Sequence, residues 1–270
     1  MELFNELNED RENEIEDFLT FIPIYESKRR FRSLRSFLRK NQRFIRNKVC
    51  MEAGAGRGLF SQELLELGAK KVYAVERAGI MYGLLEERFA GEKRVQLVNE
   101  DVGVYQPEEK IDLLFHEFYG SLILDESMLC LRELEFKPDL ILPDGGRLWA
   151  MPLNEAEIRE RDEVYEARWK ELLGGALISD IFEWHRFQPQ WEVFSWDIYD
   201  PRRSFDFTLP ENCDWIAFCG EVCHQQKGVL KMWWTHNWPI IYTPVLGKSF
   251  TLRFEYLGEG YTGVYFEWKG

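Results

Sequence analysis

The stretch from Val49 to Glu76 constrains this chain more than any other. Val49-Cys50-Met51-Glu52-Ala53 is a short apolar run broken only by its acid, and Gly54-Ala55-Gly56-Arg57-Gly58 follows at once. A helix-length amphipathic run then reaches Leu67-Gly68, and a second apolar run, Val72-Tyr73-Ala74-Val75, ends on Glu76. Strand, glycine turn, helix and strand in that order form a βαβ unit, the half-site of a nucleotide-type ligand. Glycines let the backbone turn sharply and approach a ligand, and a carboxylate at the end of the second strand can accept two hydrogen bonds from a ribose diol. The Gly-x-Gly-x-Gly spacing departs from the Gly-x-Gly-x-x-Gly dinucleotide fingerprint, which disfavours a dehydrogenase.

The alternation continues downstream. Val95-Gln96-Leu97-Val98 precedes Asn99-Glu100-Asp101, and Ile111-Asp112-Leu113-Leu114-Phe115 precedes His116-Glu117. Leu140-Ile141-Leu142 and Arg147 to Met151 follow a helix-length segment around Met128 to Phe136. Strands alternating with helical segments predict an α/β fold with an open, Rossmann-like parallel sheet, whose ligands bind beyond the carboxyl ends of the strands. Glu52, Glu76, Asp101 and Glu117 all fall near those ends and would gather at one mouth.

Composition shifts after Pro143-Asp144-Gly145-Gly146. All ten tryptophans lie from Trp149 onward, and short aromatic and β-branched runs broken by Pro, Gly and Asn begin at Phe187. The expected organisation is a helical N-terminal segment over residues 1–48, a ligand-binding sheet domain over 49–146, and a mainly β, barrel-like domain over 147–270. A helical insertion is expected at about 155–173, either a linking helix or an oligomerisation arm.

Charge narrows the partners. With 47 acidic and 34 basic residues the formal charge is −13, which repels a phosphate backbone and attracts a cationic substrate. Residues 1–17 hold eight acids and one arginine, read as a solvated terminus, whereas Lys28 to Lys48 holds ten basic residues among Phe31, Leu34, Leu38 and Ile45 at helical spacing. The favoured reading of the latter is a helix packed by its apolar stripe, with a solvated basic face balanced by the acidic terminus. Five cysteines in a chain without an apolar leader point to reduced thiols in a cytoplasmic protein, and no run approaches membrane-spanning length. Cys213, Cys219, Cys223 and His224 lack a second Cys-x-x-Cys pair, so no metal is expected. His116 and His185 read as structural histidines.

One segment is more specific than the glycine loop. Glu117-Phe118-Tyr119-Gly120-Ser121-Leu122-Ile123-Leu124-Asp125-Glu126-Ser127-Met128-Leu129 resembles the double-glutamate loop of the protein arginine N-methyltransferases, which are class I S-adenosylmethionine-dependent methyltransferases. Lys137-Pro138-Asp139 to Pro143-Asp144 resembles that family's turns, and Thr235-His236-Asn237-Trp238 resembles its Thr-His-Trp loop with one residue inserted. The resemblance implies a class I methyltransferase sheet followed by a β-barrel-like domain, S-adenosyl-L-methionine as cofactor, an arginine-containing basic protein as substrate and a possible homodimer. It implies that Glu117 and Glu126 bind and polarise a guanidinium, with His236 as an accessory proton acceptor. On the cofactor side it implies Gly54 and Gly56 under the methionine part, Glu76 on the ribose, and Arg30 on the carboxylate, with Glu52, Arg77, Asp101 and Val102 completing the set. Chemistry agrees, since a guanidinium offers five N–H donors and carboxylates are its natural partners.

Three positions depart from the family pattern. Arg57 stands where a small Ser or Thr is usual, and must point outward or replace something. Asp101-Val102-Gly103 lacks the glutamate aimed at the adenine amino group, and Ser27 stands where many relatives carry an aspartate. A methyltransferase for another small molecule, and a catalytically silent interaction scaffold on the same fold, are the alternative readings.

Overall fold

The computed structural model describes residues 9–182, 186–235, 237–258 and 261–269. His236 and His185 therefore lie outside the described residues. The chain divides into two compact units. The first comprises the residues up to Glu117 together with Glu133–Pro143, and the second comprises Phe118–Arg132 and the chain from Asp144 onward.

The first unit is built on five parallel strands: β1 (Val49–Ala53), β2 (Lys71–Val75), β3 (Val95–Val98), β4 (Leu113–His116) and β5 (Leu140–Leu142), in the spatial order β3-β2-β1-β4-β5. All five residues of β1 are buried, as a central strand covered on both faces requires. The order runs one way from β1 to β3 and the other way from β4 to β5. The reversal between β1 and β4 opens a crevice at their carboxyl ends, where open α/β sheets bind ligands. The expected Rossmann-like sheet is thus present.

Four helices accompany it: α1 (Glu9–Glu26), α2 (Lys28–Lys40), α3 (Leu59–Glu66) and α4 (Gly79–Arg88). Helix α2 is amphipathic as its spacing predicts, burying Leu34, Phe37 and Leu38. It stops at Asn41, whose side chain donates to the Phe37 carbonyl at 3.0 Å, and a short 3-10 turn, Gln42–Phe44, takes the place of further α-helix. The basic face is not simply solvated. Arg39 Nε donates to Glu63 Oε1 at 2.7 Å, Arg35 pairs with the other oxygen of Glu63, and both partners of this acid come from α2. Glu63 on α3 thus does part of the balancing assigned to the acidic terminus.

The second unit is mainly antiparallel β. Its strands are β6 (Gly145–Leu153), β7 (Ile178–Ser179), β8 (Trp191–Asp197), β9 (Ser204–Thr208), β10 (Trp215–His224), β11 (Lys227–Lys231), β12 (Ile241–Pro244), β13 (Ser249–Gly258) and β14 (Tyr261–Lys269). One sheet runs β7-β12-β10-β6-β8 with β11 against β10, and a second runs β14-β13-β9. Strand β10 is buried throughout, and Trp196, Trp215, Phe218 and Phe250 are among the largest fully buried side chains. The aromatic enrichment read from the sequence is mostly core. Among the described residues no helix is long and apolar enough to cross a membrane, and no group of His, Cys, Asp and Glu is placed to hold a metal.

Two expected helices differ. Around Met128 the chain forms a 3-10 turn, Ser127–Arg132, in which Met128, Leu129, Cys130 and Leu131 are all buried. Four consecutive buried residues exceed what one face of an α-helix can cover. The 155–173 segment breaks into α5 (Glu155–Arg161) and α6 (Arg168–Leu172), because Asp162 leaves the helical region and its carboxylate accepts the Val164 N–H at 3.0 Å.

Two glycines separate backbone need from convenience. Gly58 caps α3 at φ 69°, and an added methyl group there would lie 2.5 Å from Phe89 Cε2 and 2.7 Å from Leu85 Cδ2. Gly83 sits inside α4 with nothing within 4 Å of such a methyl. Gly58→Ala should cost roughly 2–4 kcal/mol through left-handed strain and overpacking, while Gly83→Ala should add about 0.5–1 kcal/mol. Urea unfolding of both variants would check the opposite signs.

Candidate functional site

The first unit gathers most of the cofactor-side residues expected from sequence. Strand β1 delivers Glu52 and then turns through Gly54, Gly56 and Gly58, at φ of 68°, 51° and 69°. Only glycine adopts such values without strain, so this turn can run sharply from strand into α3. Glu76, at the end of β2, reaches back into the turn. Its Oε2 accepts the Gly56 N–H at 2.7 Å and its Oε1 accepts the Ala78 N–H at 2.7 Å. One buried carboxylate, which also accepts the Arg77 N–H, thereby fixes the glycine loop and the entry to α4.

Glu52 is also buried, and its Oε2 accepts the Ser61 N–H at 2.6 Å as well as the Ser61 hydroxyl. Desolvation pushes its carboxyl up to about 8, with Glu117 and Glu76 adding repulsion and the Ser61 hydrogen bonds opposing it. Burial also raises Glu76, against the pull of the Ala78 and Gly56 N–H groups. Three carboxyls therefore feel one another around the crevice, an arrangement that favours a cationic ligand.

Arg30 is the buried member of the ten basic residues between Lys28 and Lys48, and its Nε donates to Glu117 Oε1 at 2.7 Å. The reading of Arg30 as one more solvated cation is excluded by that burial. Arg77 and Asp101 lie at the edge, where Arg77 Nη1 is 3.3 Å from Asp101 Oδ2 in an exposed pair. The other Asp101 oxygen accepts the Gly103 N–H at 2.7 Å, and Val102 beside it is buried. Glu126 begins in the other unit, where its carbonyl accepts the Thr262 hydroxyl at 2.6 Å. His116, in β4, is buried with Nε2 at 2.8 Å from the Pro143 carbonyl, as a structural histidine would be.

Two residues of the first unit escaped the sequence reading. Tyr25, on α1, lies over the glycine loop, and its Oη accepts the Arg57 N–H at 2.7 Å. The Arg57 guanidinium, exposed, sits 5.3 Å from the Tyr25 ring centroid. Arg57 thus points outward and stacks on a helix that covers the loop. Burial raises the Tyr25 hydroxyl, and Glu52, Glu76 and Glu117 all add to that rise, which places the phenol among the three acids. Asn99, just past β3, donates to the carbonyls of Glu76 and Arg77 at 2.9 and 3.1 Å and ties the ends of β2 and β3 together. Neither residue stands in a recognisable spacing, since both act across distant segments.

Comparison with known proteins decides the family. A model of the FtsJ-like methyltransferases matches residues 29–190, more than half of the chain. The chain belongs to the FtsJ-like methyltransferase family. Among curated relatives of this methyltransferase, protein arginine N-methyltransferase 6 of Danio rerio is 33% identical over 129 residues, covering 45% of this chain and 37% of its own. Probable protein arginine N-methyltransferase 6.1 of Oryza sativa subsp. indica is 33% identical over 147 residues, covering 52% and 38%. The match thus spans well under half the length of these relatives, and their names agree with the resemblance carried by residues 117–129. Among solved structures, the Trypanosoma brucei PRMT1 enzyme-prozyme complex with AdoHcy aligns at a TM-score of 0.67 with 16% identity, covering 92% of this chain and 93% of that one. Arabidopsis thaliana protein arginine methyltransferase 10 aligns at 0.63 with 16% identity, covering 90% and 95%. At such identities the structures show the shared fold.

The raised Glu52 carboxyl has a consequence for this methyltransferase. The folded protein holds a proton that the unfolded chain has lost between the ordinary value of 4.5 and about 8. Stability is therefore lost as pH rises through that window. Glu52→Gln keeps an acceptor oxygen for Ser61 without the titration. Its Tm should decline less than that of the wild type between about pH 6 and 9, as thermal unfolding across that range would register.

Proposed function

We propose that the protein transfers a methyl group from S-adenosyl-L-methionine to a guanidinium nitrogen of arginine in protein acceptors. The observation that carries this reading is the pair between buried Arg30 and half-buried Glu117, in the same unit as the acids Glu52 and Glu76 that border the glycine turn. It supports a site in which one acid both orients a cofactor-side cation and offers a carboxylate to the acceptor.

The residues fit such a cofactor. A loop with three positive-φ glycines exposes Gly54, Glu76 is anchored at that loop as a candidate acceptor for ribose hydroxyls, and the acids Glu76 and Glu117 suit a sulfonium. Gly54, Gly56, Glu76, Arg30 and Glu52 are the residues that would hold it, with Arg77, Asp101 and Val102 at the nucleoside end. When bound, the cofactor supplies an electrophilic methyl on positively charged sulfur.

The chain's own work is then orientation and electrostatics. Glu117 and Glu126 accept guanidinium N–H donors, restrict rotation and draw the positive charge toward themselves, leaving electron density on the free nitrogen. Arg30 holds the Glu117 carboxylate in place by donating to its Oε1. Glu126, or His236, takes the proton released on transfer. Tyr25 on α1 covers Gly56 and holds the loop through the Arg57 N–H. A formal charge of −13 favours basic acceptor proteins.

Labelled cofactor and an arginine-rich peptide test the assignment. Glu126→Gln should lower kcat on the order of 100-fold with cofactor affinity kept. Glu117→Gln should lose rate to a similar degree and also weaken cofactor binding, because it releases Arg30. Unchanged rates in both variants would refute the assignment, and failure to bind either S-adenosylmethionine or its demethylated product would refute the activity.

A further inference from the structure

The second unit holds a polar group that no hydrogen bond among the described residues accounts for. Met232–Trp234 form a 3-10 turn closed by Thr235, whose N–H and hydroxyl donate to the Met232 carbonyl at 2.9 and 2.6 Å. A few residues on, Trp238 is buried and its Nε1 donates to the Tyr119 carbonyl at 2.6 Å. Between them, Asn237 is half-buried, and both Nδ2 and Oδ1 are shielded from solvent without a hydrogen-bond partner among the described residues. Each such atom forfeits the hydrogen bonds it would make in water. Thr243 and Trp268 leave one atom apiece in that condition, whereas Asn237 leaves a donor and an acceptor on one planar group.

We propose that Asn237 reads a main-chain peptide group of the acceptor. The orphaned pair defines its complement by elimination. A guanidinium presents donors only and would leave Nδ2 unpaired, and a carboxylate presents acceptors only and would leave Oδ1 unpaired. The N–H and C=O of one extended residue satisfy both together.

The position suits that role. Trp238, next to Asn237, is fastened to Tyr119, whose hydroxyl donates to the Gly145 carbonyl at 3.1 Å. Tyr119 belongs to the loop that carries Glu126. That loop is itself rigid: Asp125 Oδ1 accepts the Leu122 N–H at 2.8 Å, and Ile123 is buried at φ 76°, a conformation a β-branched residue holds only under close packing. Asn237 thus sits on a loop fixed to the one bearing the acceptor-side acid. The inference rests on the proposed arginine methylation and deepens it, because a group that reads peptide backbone selects polypeptides over small guanidinium compounds.

The test uses the full chain with Asn237→Ala, Asn237→Leu and Asn237→Gln, an arginine-containing peptide and methylguanidine as acceptors. Alanine and leucine should raise the KM for the peptide on the order of 10-fold, leave kcat and cofactor affinity unchanged, and leave methylguanidine kinetics untouched. Glutamine, which keeps both groups, should recover part of the loss. The Tm of the alanine and leucine variants should equal or exceed that of the wild type, since an unpaired amide has been removed. A lower Tm with unchanged KM would overturn the proposal and make Asn237 structural. An equal rise in KM for methylguanidine, or wild-type activity on methylguanidine alone, would overturn it as well. Wild-type methylation of the peptide with unaltered Asn237→Ala kinetics would overturn this inference while the arginine reading stood. Absence of methylation of either acceptor by the wild type would overturn both.

Discussion

The first unit depends on the Glu76 carboxylate. It stands at the end of β2, yet its two oxygens are taken up by backbone N–H groups from the glycine turn and from the start of α4. A turn with three left-handed glycines has little conformational preference of its own, so it needs an external anchor to hold one shape. A buried carboxylate bonded by several backbone N–H groups supplies it, and the same side chain is the one proposed to meet a ribose. A substitution there would release the turn and the entry to α4 together.

Burial is what turns the neighbouring acids into a site. Glu52, Glu76 and Glu117 come from the ends of β1, β2 and β4, brought together by parallel strand order and not by closeness in sequence. In water three carboxylates would ionise independently. At the crevice burial pushes the Glu52 carboxyl up to about 8, with Glu117 and Glu76 adding to that rise, and burial raises Glu76 as well. Arg30 supplies a positive partner to Glu117.

The departures from the family pattern resolve unequally. Arg57 does not crowd the glycine turn, because its side chain turns outward onto the Tyr25 ring while its N–H is held by the Tyr25 hydroxyl. Asp101 is spent on the Gly103 N–H and an exposed contact with Arg77. Ser27, where an aspartate is usual, is buried at the junction of α1 and α2, where its carbonyl accepts the Phe31 N–H at 3.2 Å.

The sequence by itself determined the parallel sheet, the positions of its strands and the acids at their ends, because period, glycine spacing and strand-terminal residues are local properties. The run from Glu117 to Leu129, which carries the family resemblance, was legible for a similar reason, because it is contiguous. Where reading failed, a nonlocal force had won. The 3-10 turn at Ser127–Arg132 replaces an expected helix because four successive side chains are buried on different sides, and the break after Arg161 follows from one aspartate competing for backbone. Tertiary structure alone decided that Arg30, of ten neighbouring cations, is the buried one, that Tyr25 covers the glycine loop, and that the amide of Asn237 has no partner among the described residues. Those facts depend on which distant segments meet, and hydrogen bonding and burial between such segments leave no periodic trace in the chain.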